Sequence, residues 1–344
     1  MKSPATILLS RTDRLGDVVL TLPVAKALKE RLPGCRIVFL GRRYTKPVIE
    51  ACAYVDEAAS FDDMEGLSPR DRAEALRSFE ADAIVHVFPN AAVAVAARAA
   101  GIPLRVGSGR RPSHWLTCNR LAWFSRRNSG LHEAQLNFKL LSALGIASPP
   151  ALAELSRSFG LRKLPLLPER LKGFLRLDRC NLILHPGSAG NAPEWPAGHY
   201  RALVERIPPG LFNVILTGGE AEAERFKELA AAVQGVVNLM GKTSLSELVA
   251  LIGAAQGFVS ASTGPAHIAA ALGLKVVALF SPRPPVHPGR WAPLGPHVSV
   301  LTAERSCPEC ALKGGQCSCM ATIAPERVLR EIKGAVPHRG TAPD

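Results

Sequence analysis

Short apolar runs alternate with helical spacing along most of the chain. Thr6–Ser10 reads as a buried strand, Arg11–Gly16 as a loop, and Asp17–Leu32 as a helix with Val18, Leu22, Ala25 and Leu28 on one face. Further strands are predicted near Arg36–Leu40, Ala83–Val87 and Leu104–Val106, and a helix over His132–Leu144 ends at Gly145. The periodicity fades over Ala147–Leu167, a Pro- and Leu-rich stretch that reads as a linker. It then restarts, with strands at Asn181–His185, Asn213–Leu216, Val236–Leu239, Gly257–Ser260 and Lys275–Phe280 and helices near 197–207, 220–233, 245–254 and 264–272. Such alternation belongs to parallel sheets covered by helices, so the fold class is α/β in two successive series. The first domain is expected over 1–160, the second over 161–322, and a C-terminal helix and tail over 323–344.

The length of 344 residues suits two domains of about 150 residues each. An apolar content of 47% fills two cores and predicts a cleft between them. No run of eighteen apolar residues occurs, and Met1-Lys-Ser-Pro leads straight into a strand, so neither a spanning helix nor a signal peptide is expected. A cytoplasmic location follows, in which eight cysteines point to thiols or metal ligands before disulfides.

The formal charge of +13 is uneven. Ala83 to His132 contains no acid but holds Arg98, Arg105, Arg110, Arg111, Arg120, Arg126 and Arg127, interleaved with Trp115, Trp123 and Phe124. That mixture suits anionic lipid headgroups or phosphorylated sugars, or is simply a solvated basic face. No nucleic-acid motif accompanies it, so no nucleic-acid partner is expected.

In open sheets of this kind ligands bind beyond the carboxyl ends of the strands, which directs attention to loops 11–17, 185–195, 217–222 and 260–267. A nicotinamide site is disfavoured, because the first strand runs into Arg-Thr-Asp-Arg-Leu-Gly, with one glycine. Asp17 follows Gly16 at a strand-to-helix turn, as a helix cap or as a base. His185-Pro-Gly187-Ser188-Ala-Gly-Asn191 is rich in small residues, and its amides and the Ser188 hydroxyl can reach a phosphate. Thr217-Gly218-Gly-Glu-Ala-Glu222 offers a carboxylate for ribose hydroxyls or a dipole-favoured acid in a first helical turn. In Ser262-Thr263-Gly264-Pro265-Ala-His267, Pro265 fits the first helical position, Ser262 or Thr263 can cap, and free amides can hold an anion with His267 one turn away.

Cys307-Pro-Glu-Cys310 and Cys317-Ser-Cys319 place four thiols within thirteen residues, as a structural zinc site or a redox-sensitive loop. Only the first pair has the usual ligand spacing. Cys35, Cys52, Cys118 and Cys180 lie apart and read as small buried residues.

Taken in order, Arg11-Thr-Asp-Arg14-Leu-Gly16-Asp17-Val-Val-Leu-Thr-Leu-Pro23, His132-Glu-Ala-Gln-Leu-Asn137, His185-Pro-Gly, Trp195-Pro, Thr217-Gly-Gly, Met240-Gly-Lys242-Thr-Ser-Leu, Ser-Thr-Gly-Pro-Ala-His267 and Ile323-Ala-Pro-Glu-Arg-Val328 resemble glycosyltransferase family 9. These are the lipopolysaccharide heptosyltransferases and their relatives. The resemblance implies a GT-B architecture, two Rossmann-like domains with parallel sheets facing a central cleft, the first taking the acceptor and the second the nucleotide sugar. It implies an inverting transfer with no required cofactor or metal, and ADP-heptose as the default donor. The acceptor would be a phosphorylated lipid-linked saccharide at the inner face of an anionic membrane. By the same resemblance Asp17 is the base. His185, Gly187, Ser188, Thr217, Gly218, Glu222, Lys242, Ser262, Thr263, Gly264, Pro265 and His267 hold the nucleotide sugar, with Glu220 close enough to compete for the role of Glu222. Arg11, Arg14, Gly16, Arg110 and Arg111 meet the acceptor.

Two departures stand out. Many relatives carry Asp-Thr-Gly where this chain has Ser262-Thr-Gly, and many place a lysine or arginine just before the tryptophan where Ala192-Pro193-Glu194-Trp195 offers none. Arg11, Arg14 or Lys242 are the available substitutes. Another nucleotide sugar, an outer polysaccharide acceptor, or a non-catalytic nucleotide-sugar or lipid-binding relative are the alternatives.

Overall fold

The computed structural model describes residues 4–127, 129–146, 149–308 and 317–333. The chain divides into two compact units, 1–163 and 164–344. In the first, strands β1 (Thr6–Ser10), β2 (Arg36–Gly41), β3 (Glu57–Ser60), β4 (Ala83–His86), β5 (Leu104–Ser108) and β6 (Arg120–Ala122) form one parallel sheet in the order β3-β2-β1-β4-β5-β6. In the second, β7 (Cys180–His185), β8 (Phe212–Leu216), β9 (Val237–Asn238), β10 (Gly257–Ala261), β11 (Lys275–Phe280) and β12 (Val298–Thr302) run in the order β12-β11-β10-β7-β8-β9. Counted within its own unit, each sheet has the order 3-2-1-4-5-6, the doubly wound Rossmann order.

The central strands are buried on both faces, which is why they read as unbroken apolar runs: Ile7, Leu8, Leu9, Ile183, Leu184 and Val259 are wholly shielded from solvent. Edge strands β3, β6 and β12 escape that pattern because each keeps polar or half-exposed positions, the usual protection of an open sheet edge. Each order reverses between two neighbours, β1 and β4 in the first sheet and β7 and β10 in the second. Loops leaving those strands therefore diverge and leave room for a ligand.

Three expected elements differ in detail. The single helix over Asp17–Leu32 is two, Leu15–Val19 and Leu22–Arg31, because Pro23 has no N–H to bond back to Val19. The helix over 220–233 breaks at Phe226, whose ring turns into the core of the second unit. Most of the expected linker is not one: within 149–163 a helix spans Leu152–Leu155, Leu155 and Phe159 are buried, and Leu161 bridges to Cys52. Gly160 sits there at φ +66°, with the Tyr54 ring where a Cβ would stand. Of the tail, the described residues hold the helix Pro325–Lys333.

Candidate active site

In the first unit, the loop leaving β1 carries Arg11 into the protein. Arg11 is 3% exposed, and its guanidinium fans out to Asp13 (Nε to Oδ1, 2.7 Å), Asp17, Glu133 (3.4 Å) and Asn137 (3.2 Å). Glu133 and Asn137 lie four residues apart on one face of the helix Glu133–Phe138. That helix starts from His132, whose Nδ1 accepts the Ala134 amide (3.2 Å) while Gln135 accepts the His132 amide (3.2 Å). Asn137 also donates to the Leu20 carbonyl (3.1 Å) and Thr21 hydroxyl (3.2 Å), and Arg126 closes the network on Glu133 and Asn137. Two guanidinium groups thus face three carboxylates, a surplus of one negative charge.

Burial opposes the charge of Arg11, but Asp17, Asp13 and Glu133 together push its pKa above the ordinary guanidinium value. Burial also lifts the Asp17 carboxyl to about 6, against the pull of Arg11 and with Asp13 and Glu133 adding to the rise. Arg11 holds Asp17 by Oδ1, and Oδ2 has no hydrogen-bond partner among the described residues. Asp17 lies in the first turn of the helix Leu15–Val19, yet that helix begins at Arg14 without any side-chain cap. An open carboxylate oxygen on a fixed side chain with a pKa near 6 is suited to accept a proton.

The other residues expected at the acceptor are spread more widely. Arg14, Arg110 and Arg111 are exposed, Gly16 is half-buried in the first turn of the helix Leu15–Val19 rather than in the expected loop, and Arg11 is enclosed behind Asp17. Around Arg110 and Arg111 the surface also shows Trp115 (58% exposed), Leu116 (74%) and Trp123 (68%). Arg126 and Arg105 are tied down instead, Arg105 by the Thr117 carbonyl (2.7 Å).

In the second unit, β7 and β10 bring His185 and Ser260 into register, so the loops after them lie side by side. His185 Nδ1 meets the Thr217 hydroxyl (2.9 Å), and its Nε2 lies 3.9 Å from Glu222. Burial lowers the His185 pKa, with Glu222 opposing, so the ring is held neutral. Glu222 accepts the Ala189 amide (3.1 Å) and the Gly219 amide (2.8 Å), and packs so close to Gly187 that a Cβ there would stand 1.8 Å from Oε1. Glu220 is exposed. Of the two acids, Glu222 is therefore the one brought to the His185 loop.

The helix Gly264–Ala271 opens on Thr263, with Gly264 and Pro265 in its first turn and His267 buried one turn in. Among the described residues neither Ser262 nor Thr263 caps it by its side chain, which leaves its first-turn amides without a side-chain cap. The Ser188 loop is different. Ser188 donates its amide (2.6 Å) and shares its hydroxyl (2.9 Å) with Glu194, which is itself paired to Arg225 (2.7 Å). Lys242 is exposed and donates to the Asn238 carbonyl (3.0 Å).

Sequence reading left several of these residues without a role. Glu133 and Asn137 sit inside a quoted motif at helical spacing, a usable signal. Arg126 and Arg225 find their acids only through the fold. Of the four clustered cysteines, Cys307, Cys317 and Cys319 converge with their Sγ atoms within 4.8 Å of one another, and Cys310 lies outside the described residues.

The model of glycosyltransferase family 9 (heptosyltransferase) matches residues 70–320. Lipopolysaccharide heptosyltransferase 2 of Escherichia coli is 25% identical over 334 residues, covering 92% of this chain and 94% of that one. The structure of E. coli ADP-heptose lipopolysaccharide heptosyltransferase II superposes with a TM-score of 0.73 at 23% identity, over 96% of this chain and 98% of that one. E. coli heptosyltransferase WaaC with ADP gives 0.70 at 20%, over 96% and 100%. No helix of the described residues is long and apolar enough to cross a membrane.

Proposed function

The chain belongs to glycosyltransferase family 9, and from that premise we propose that it moves a heptose from an ADP-sugar onto a phosphorylated, lipid-linked saccharide, with inversion and no metal in the reaction. The observation that carries this reading is Asp17, held by Arg11 at one oxygen, open at the other and raised to about 6. Asp17 takes the acceptor hydroxyl proton as that oxygen attacks the anomeric carbon. The bond from that carbon to the diphosphate breaks on the opposite face, and ADP departs. Arg11 is a positioning residue: it reaches the reaction through Asp17.

The leaving diphosphate needs positive potential, supplied by the Thr263 and Gly264 amides, the helix they begin and His267. Glu222 accepts the ribose hydroxyls, and its nearness to Gly187 fixes its carboxylate for that task. Arg225 is the substitute for the cation missing ahead of Trp195, since Glu194 draws it to the Ser188 loop. ADP as the nucleotude part is supported by the ADP named with WaaC. Arg110, Arg111, Trp115 and Trp123 form an exposed basic and aromatic face for the inner leaflet of an anionic membrane.

Calorimetric titration with ADP, UDP, GDP and dTDP, paired with transfer assays of Asp17→Asn, tests the reading. Selective ADP binding with turnover lost in the variant and nucleotide affinity kept is expected. Binding of another nucleotide moves the donor, unchanged turnover removes Asp17 from its role, and no binding at all favours a non-catalytic relative.

A further inference from the structure

Three sulfurs meet at the end of the second sheet. Cys307 lies beyond β12, Cys317 precedes the short helix Ser318–Thr322 and Cys319 lies in its first turn. Cys317 and Cys319 are 2% and 5% exposed and belong to the apolar core with Met320, Ile323 and Trp195, while Cys307 packs against its rim. The Cys307 and Cys317 sulfurs are 3.0 Å apart and those of Cys317 and Cys319 are 2.9 Å apart. A disulfide bond measures about 2.05 Å, so none of these pairs is bonded. Bonds of about 2.3 Å from sulfur to a tetrahedral zinc ion set neighbouring sulfurs about 3.8 Å apart; two of the pairs here are closer than that and all three sulfurs lie within 4.8 Å of one another, so an ion is seated by a small outward turn of the side chains.

The remaining cysteines show the contrast. Cys35, Cys52, Cys118 and Cys180 are buried singly, and burial pushes the thiols of Cys52 and Cys180 up to about 11, so they stay protonated and inert. Three thiols gathered at one point, with Cys310 at ligand spacing from Cys307 in the sequence, have a different use.

We propose that Cys307, Cys317 and Cys319 bind one structural zinc ion as thiolates. Each thiol gives up its proton to solvent as the metal binds, and no electron is transferred. The ion ties the segment after β12 to the chain that leads into the C-terminal helix. The same short stretch holds the second unit's donor-side loop, because the Trp195 indole donates to the Ile323 carbonyl (2.9 Å). The site is separate from the transfer chemistry and independent of which sugar is moved.

Metal analysis of the full-length protein purified without added metal is expected to give one zinc per chain, lost in Cys317→Ser/Cys319→Ser. Cobalt exchanged into the wild-type protein is expected to show the absorption of tetrahedral thiolate coordination, a readout that survives if the double variant does not fold. Chelation is expected to lower Tm by roughly 5–10 °C. Zinc-free protein with every thiol free to react, a Cys307–Cys317 disulfide in the unreduced protein, or iron in place of zinc would each overturn the proposal.

Discussion

The two units share one strand order but equip their switch points in opposite ways. Beyond β1 and β4 lies a buried ionic network in which Arg11 and Arg126 face Asp13, Asp17 and Glu133. Beyond β7 and β10 lie a neutral histidine, small residues and uncapped helix amides, with charge carried by Glu222 and the Glu194–Arg225 pair. A group that must gain and lose a proton needs surroundings that set its pKa, and in the first network burial raises Asp17 while Arg11 pulls it back. A ligand that arrives with its own charge is better met by dipoles, which need no counter-charge when the site is empty. Topology supplies the place, and the loop residues decide the chemistry.

Perturbing the first network should have the larger effects. Asp17→Asn is expected to lower kcat by about 10³-fold with ADP affinity unchanged, within the usual range for removing a general base. In the wild type, kcat/KM should rise with pH up to about 6, where Asp17 loses its proton, and level off above; a flat profile would show that Asp17 is not the base. Arg11→Lys keeps the charge but not the fork that serves four partners, so the rising limb should move up by about one pH unit, with the donor KM kept.

In the second unit, Gly187→Ala drives a methyl into Glu222 and should weaken ADP binding about tenfold by calorimetry, the scale of one charge-assisted hydrogen bond. Arg225→Ala should raise the donor KM by up to tenfold and leave free Glu194 facing Ser188; an unaltered KM would remove Arg225 from the diphosphate. The smallest effect should come from Arg110→Gln, about fivefold in sedimentation with anionic vesicles and less at high salt.

Legibility in the sequence follows the range of the interactions. Central strands such as Ile7–Leu9 are readable because burial on both faces leaves only apolar residues, whereas Glu57–Ser60, half-exposed at the edge from Glu57 to Ala59, has no such run. Asp17 and the Gly264 turn are readable because strand, turn and helix start are contiguous. The partnerships that give them their properties are not: Arg11 and Glu133 are 122 residues apart, and Glu194 and Arg225 are 31 apart. Nothing local marks Glu194 as an anchor for a distant arginine. The Pro- and Leu-rich stretch misleads for a related reason, since Phe159 and Leu161 are held by Cys52, about a hundred residues earlier, through a thiol-to-carbonyl bond and a backbone bridge.

That stretch also fixes where the chain can be divided. A fragment ending at 146 would leave the pocket around Cys52 and Tyr54 uncovered, with the Gly160 carbonyl no longer there to accept the Ala53 amide and greasy surface turned to solvent. One ending at Lys163 takes its own plug with it. Anyone producing the halves separately, or grafting one onto a relative, should cut after the last residue that still belongs to the first half, several positions beyond where its helices stop.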